Sequence, residues 1–405
     1  MPSRAAGLCG AELHPGVAGV PYWRLSAYYF SYFAFVGAFS PYFTLYLQSI
    51  ALSATDIALL MSLMQVMRVL APNMWGWLAE HHGRRITIIR VSAWASLVGF
   101  SVFFFTMRFE GLFLAMALMA FFWSASLPLV ESLTFAHLGA HSGRYGSIRV
   151  WGSVGFIAAV LGLGYLLDFL PLDSVLWMTA AILAAIALCA AVLPEAARPL
   201  AHRESASLHE TLRRPEVRAL LVACFLMSAA HGALYVFYSI FLVDHGYDKS
   251  VVGWMWSLGV IAEIVVFMFM PRLLRRHSMR AILIFAFACA VVRFVAIGWG
   301  VGSFAVLVFA QLLHGATFGA YHSAAIAAVN QWFRGKLQSR GQALYGSISF
   351  GAGGMLGGLV SGFTWETVGP AWTFTLGSLF ALAGLAWLLL GWRSGAESLT
   401  EGGLG

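Results

Sequence analysis

Charge is what this chain has least of. Only 10% of its 405 residues are Asp, Glu, Lys or Arg, against 60% apolar. A water-exposed surface of that size needs far more charge, so neither a soluble globular protein nor a disordered chain fits. Cysteine is scarce as well. Cys9 lies in the N-terminal stretch, Cys189, Cys224 and Cys289 lie in apolar runs, and none has metal-ligand spacing. No metal site or disulfide framework is therefore expected. A phosphate-cradling glycine loop and a nucleophile–base constellation are both missing, with no soluble stretch to carry them, so an enzyme is not expected. The formal charge of +7 is not arranged as a basic stripe with interleaved aromatics, so no nucleic-acid partner is expected either. The first twenty-odd residues lack the apolar core and cleavage pattern of a signal peptide.

What remains is a succession of apolar runs about 20 residues long, enough to cross a ~30 Å hydrocarbon layer. In lipid the backbone must satisfy its own hydrogen bonds, so these runs are expected to be helices. The expected fold class is an all-α membrane protein of twelve transmembrane helices. Spans are placed near 24–49, 54–79, 86–106, 111–137, 146–168, 173–193, 218–243, 250–271, 281–300, 303–330, 340–364 and 369–392. Residues 1–23 form a cytoplasmic tail, 24–193 and 218–392 two six-helix bundles, 194–217 a cytoplasmic linker and 393–405 a second tail. Charge sorts along this scheme. Arg84, Arg85, Arg144, Arg198 to Arg218, Arg272 to Arg280, Arg334, Lys336 and Arg340 fall in connections on one side. The opposite loops carry Glu110, Asp168, Asp173, Asp244, Asp248 and Glu366, with only Arg108 and Lys249. The basic side is the expected cytoplasmic side, which puts both termini inside.

The halves repeat. A shift of 195 residues lays Tyr42-Phe-Thr-Leu-Tyr-Leu47 over Phe237-Tyr-Ser-Ile-Phe-Leu242, and Arg68, the charge in span 2, over Glu263, the charge in span 8. Parallel repeats of this kind enclose a substrate site near mid-membrane between them.

The loop Gly76-Trp-Leu-Ala-Glu80-His-His-Gly83-Arg84-Arg85 resembles the G-x3-D-x2-G-R-R signature of the major facilitator superfamily, with Glu80 in place of Asp. Its glycines permit a tight turn, and its acid can face a helix N-terminus while the arginines sit at the headgroups. Arg144-Tyr-Gly-Ser-Ile-Arg149-Val-Trp151-Gly-Ser-Val-Gly-Phe156, Ser257-Leu-Gly-Val-Ile-Ala-Glu263, Val291-Val-Arg293 and His314-Gly-Ala-Thr-Phe-Gly-Ala-Tyr-His322 resemble the phenylpropionate permease group. That group is related to oligosaccharide and nucleoside proton symporters. The resemblance implies alternating access between two six-helix halves, with spans 1, 4, 7 and 10 lining the cavity, and no cofactor beyond the proton gradient.

A charge within the membrane is costly unless paired or hydrated, which marks Arg68, Glu131, Arg149, Glu263 and Arg293 as functional candidates. Glu131 and Arg149 are expected close enough to pair. By likeness to lactose-type permeases they are expected to touch substrate; the plain alternative is a buried salt bridge. Those permeases carry H-x-x-E in span 10, whereas this chain reads His314-Gly-Ala-Thr317. Glu263, among apolar neighbours, is therefore the expected proton carrier. Arginine binds a carboxylate with two parallel hydrogen bonds, so Arg293 is the first candidate for a substrate carboxylate clamp and Arg68 the second. Neutralising nearby acids is the alternative role for both. His231, Tyr235 and Tyr238 share one helical face, as do His314, Phe318 and Tyr321, and both faces are expected to meet the substrate. Gly76, Glu80, Gly83, Arg84 and Arg85 are the expected gating loop. The glycine stripe Gly354, Gly358 and Gly362 is expected to pack helices closely.

The expected function is proton-coupled uptake of a small aromatic monocarboxylate, with the lipid bilayer, protons and one small molecule as partners. The expected setting is a monomer in a bacterial inner membrane. Symport of a neutral sugar or nucleoside, and export of a hydrophobic compound, are the alternatives.

Overall fold

The computed structural model describes residues 20–82, 84–196 and 208–392. Most of the two tails and the middle of the 194–217 linker lie outside the described residues. Twelve long helices follow in order among those described. The first half comprises α1 (Tyr22–Ser49), α2 (Ala54–His82), α3 (Arg85–Ser101), α4 (Phe109–Leu138), α5 (Tyr145–Leu167) and α6 (Ser174–Val192). A short helix, Leu208–Arg213, precedes the second half. That half comprises α7 (Pro215–Asp244), α8 (Lys249–Arg276), α9 (Met279–Gly300), α10 (Phe304–Trp332), α11 (Gln338–Thr367) and α12 (Pro370–Gly391). Eleven of these are long and apolar enough to cross a membrane. The other, α1, has 28 residues, six of them tyrosines, and its rings are covered by neighbouring helices. The repeat is exact at one boundary: α2 begins at Ala54 and α8 at Lys249, 195 residues apart (249 − 54).

Among the described residues, three helices of the second half depart from regular winding in their interiors. α7 breaks at His231, between Pro215–Ala230 and Gly232–Asp244. α10 contains a π-helical segment, Gly315–Ala320, and α11 another, Ser347–Gly353. Such wide turns inside α-helices recur at functional sites.

Within each half the helices pack as a bundle, and the halves meet along three pairs: α1 with α7, α2 with α11, and α5 with α8. Glycine makes the second pair close. A Cβ at Gly354 would lie 3.2 Å from the Gln65 side chain, at Gly358 2.9 Å from Ser62 Oγ, and at Gly362 2.3 Å from Ala58 Cβ. The stripe foreseen in the sequence thus joins the halves. Gly353 and Gly357 turn the other way, onto the backbone of Phe225 and Ala229 in α7.

The polar bonds between halves cluster at the end of the bundle that carries the acidic loops. Asp168 Oδ1, just past α5, accepts from the backbone N–H of Lys249 (2.8 Å) and Ser250 (3.3 Å) at the start of α8. Glu366 Oε1, at the end of α11, accepts from Ala54 N (2.7 Å) at the start of α2. These two contacts are related by the repeat, each placing a carboxylate on the positive end of the facing helix. Gln48 Nε2 donates to Asp244 Oδ1 at 3.2 Å. The Tyr42 hydroxyl reaches two carbonyls, Val160 O in its own half at 2.6 Å and Lys249 O in the other at 3.2 Å. By contrast α4 and α10 share no extended contact among the described residues. The bundle is closed at the acidic end and parted toward the end bearing the basic loops.

Candidate functional site

Glu263 sits near the middle of α8 with a side chain only 19% exposed. Its Oε2 lies 3.7 Å from His314 Nε2 on α10. The ring of His314 stacks on Phe318 (5.5 Å, 16°), which stacks on His322 (5.7 Å, 16°), whose Nδ1 meets the Tyr345 hydroxyl at 3.0 Å. The column steps i, i+4, i+8. An α-helix would align i+7 better, but the π segment turns fewer degrees per residue and brings His322 onto the line. Tyr321, expected on this face, is instead rotated into the core. It is 2% exposed, and its hydroxyl contacts Cys224 O (3.3 Å) and Ser349 Oγ (3.2 Å).

Arg293 is displaced from its expected role in this conformation. It is fully buried. Its Nε donates to Ala310 O (2.9 Å), Nη1 to Thr317 Oγ1 (3.0 Å) and Nη2 to Gln311 Oε1 (3.1 Å), and Nη1 lies 3.4 Å from His231 Nε2. His231 Nδ1 lies 2.8 Å from Met227 O, which can only accept. The proton of His231 is therefore on Nδ1, and Nε2 accepts from Arg293. This guanidinium ties α7, α9 and α10 together and has no surface to offer a ligand. Tyr235, partly exposed, lies between the rings of His231 (5.9 Å) and Trp256 (6.1 Å). Tyr238 is wholly buried and meets Trp256 edge-on.

The first half contributes two arginines, one on α2 and one on α5. Arg68 on α2 is exposed, bonds Gln65 Oε1 within its own helix (3.3 Å), and holds its guanidinium carbon 5.8 Å from the centre of Trp123. Trp123 stacks on Tyr32 at 4.6 Å and 8°. Arg149 on α5 is half-buried, with its guanidinium carbon 3.9 Å from the centre of Phe33 and 6.0 Å from that of Tyr29. The expected Arg149–Glu131 contact is absent: Glu131 Oε1 accepts from the Tyr145 hydroxyl at 3.1 Å. Among the described residues Arg85 pairs with Glu195, and the 3.7 Å approach of His314 to Glu263 is an ion pair only when the imidazole carries a second proton. Arg149 lies within electrostatic range of Glu131, Glu263 and His322. The aromatic supports Tyr32, Phe33 and Trp256 escaped the sequence reading, because aromatic residues are too common in this chain to single out.

The signature loop is described only in part. Gly83 and the Glu80 side chain lie outside what is described, and Gly76 has open space around it. Arg84 is exposed. Arg85 reaches Ser132 Oγ (3.1 Å), Ala196 O (3.3 Å) and Glu195 (3.8 Å), and Glu195 Oε2 caps Ile86 N at 3.0 Å. Glu195, from beyond α6, thus places a carboxylate at the α3 N-terminus. Among the described residues no His, Cys, Asp and Glu side chains gather as a metal site.

Known proteins agree with this architecture. A sequence model described as the MFS_1 like family matches residues 22–376. The chain is 30% identical over 364 residues to a protein of Escherichia coli (strain K12) named "Probable 3-phenylpropionic acid transporter", covering 87% of this chain and 94% of that one. It is 27% identical over 371 residues to the maltose permease of Geobacillus stearothermophilus, covering 90% and 92%. The crystal structure of the nucleoside transporter NupG superposes with a TM-score of 0.79 at 16% identity, covering 91% of this chain and 98% of that one. That likeness concerns the fold alone. With helices that span a membrane, two repeated halves and these relatives, the chain belongs to the MFS_1-like family of major facilitator secondary transporters.

Proposed function

We propose that this transporter takes up a small aromatic monocarboxylate together with protons. One observation carries the reading: Arg68 is exposed and Arg149 half-buried, neither has a carboxylate within ion-pair distance among the described residues, and Glu263, beside His314, and Glu131 are the acids near Arg149. Unpaired guanidinium groups in a low-dielectric cavity attract an anion, and Glu263 is the group placed to carry the proton. The name of the Escherichia coli relative supports an arylpropionate as cargo. Arg68, Arg149, Tyr235, His314 and Phe318 are the proposed substrate contacts, with Glu131 holding Tyr145 beside them. The basic loops at the parted end favour a bacterial cytoplasmic membrane with both termini inside. On that orientation the polar contacts between the halves close the outer end.

Uptake into proteoliposomes under an inward proton gradient tests this, with 3-phenylpropionate, maltose and uridine side by side. Accumulation of the carboxylate alone, abolished by dissipating the gradient, is the expected result. Accumulation of maltose or uridine instead would replace the anion reading with a neutral-solute symporter.

A further inference from the structure

We propose that Phe33 and Gly152 form a slot that positions the Arg149 guanidinium for the substrate carboxylate. The proposal rests on the anion reading above and names two residues that reading does not use. α1 and α5 cross at very short range. A Cβ at Gly155 would lie 2.1 Å from Phe30 O, and one at Gly37 2.5 Å from Phe156 O. This crossing sets the Phe33 ring flush against the α5 backbone at Gly152, one turn beyond Arg149. A Cβ at Gly152 would lie 2.7 Å from Arg149 Nη1 and 2.7 Å from Phe33 Cδ2. The guanidinium therefore occupies the space that a side chain at residue 152 would fill, with its plane supported by the ring at 3.9 Å.

The other arginines of the site show what is distinctive here. Arg293 spends its donors on four protein acceptors, and Arg68 gives one to Gln65. Among the described residues Arg149 makes no hydrogen bond and has no carboxylate within 4 Å. An aromatic face holds a guanidinium in place without consuming its N–H groups. Phe33 thus does the work a counter-carboxylate usually does, and leaves the planar fork free for two parallel bonds to an incoming carboxylate. Phe33 and Gly152 are positioning residues: they act through Arg149.

The test uses the full-length protein in proteoliposomes, with 3-phenylpropionate as substrate and its neutral amide as competitor. Phe33→Leu and Gly152→Ala remove the platform and the space. Each should raise the KM for the acid roughly tenfold, the worth of a partly desolvated cation–π contact. kcat and the inhibition constant of the amide should hold, and Phe33→Tyr, which keeps the ring face, should restore the acid KM. If Arg149→Gln raises that KM while Phe33→Leu and Gly152→Ala do not, the slot is overturned and the anion reading stands. If Arg149→Gln leaves it unchanged, Arg149 is not an anion contact and the slot falls, while transport of the acid leaves the anion reading to Arg68. Equal losses for acid and amide, unrepaired by tyrosine, would show ordinary helix packing and overturn the slot.

Discussion

Three arginines share the interior of this molecule, and their surroundings divide their work. Arg293 is a tie between helices. Removing it as Arg293→Leu would orphan the buried acceptors Gln311 Oε1, Thr317 Oγ1 and His231 Nε2 at a cost on the order of 3 kcal/mol. The purified variant should melt several degrees lower, and a thermal-shift assay in detergent reads this directly. Arg293→Lys should recover little, because an ammonium cannot span three acceptors in a plane. A variant with unaltered melting and a raised KM would return Arg293 to the role of substrate clamp. Glu263 is tested differently. Glu263→Gln keeps the shape and hydrogen-bonding size of the side chain but cannot release a proton. Proton-driven accumulation should vanish while exchange of labelled for unlabelled substrate continues. Full accumulation in that variant would remove Glu263 from the coupling step.

At the scale of the element, the π segment of α10 decides which residues face the space between the halves. His322 lines up with His314 and Phe318, whereas Tyr321 points into the core. In a background with the native cysteines replaced by serine, His322→Cys should react with a water-soluble thiol reagent and Tyr321→Cys should be protected. The reverse pattern would mean that α10 is regularly wound. The contrast also shows what could be read in advance. Apolar run length marks the spans, and the cost of charge in lipid singles out Arg68, Glu131, Arg149, Glu263 and Arg293 as candidates without ranking them. Gly315-Ala-Thr-Phe-Gly-Ala320 has nothing in its composition that distinguishes a wide turn from a regular one, so regular helical spacing assigns to Tyr321 the face that His322 occupies. The burial of Arg293 was hidden for another reason. It depends on acceptors contributed by α7 and α10, which no local pattern in α9 encodes. Phe33 could not be told from the other rings of α1, since its partner lies on α5.

The molecule as a whole is held shut at one end by contacts that obey its own repeat. Asp168 on the α8 terminus and Glu366 on the α2 terminus are the same device used twice. A carboxylate at a helix N-terminus contributes about 0.3–1 kcal/mol, rising toward ~2 when partly buried. Asp168→Asn with Glu366→Gln should therefore shift the balance between the two access states by about one to two orders of magnitude toward opening at that end. Pairs of spin labels across the α1–α7 and α5–α8 ends would register the shift as a longer distance population. An unchanged distribution would mean that the glycine-lined contacts between α2 and α11 hold the closure by themselves.

Tyr42 gives that closure a particular economy. A hydroxyl has one hydrogen to give, and here two carbonyls compete for it, one on each side of the seam. Its shorter bond is to Val160, in the half to which Tyr42 itself belongs. When the halves part, the hydrogen simply settles on the nearer carbonyl, and the donor is never stranded. Lys249 O, the acceptor left behind, belongs to the first residue of α8 and keeps the N–H four residues along its own helix. The seam can thus be unzipped and rezipped without an orphaned donor at its centre, which is the property a reversible joint requires.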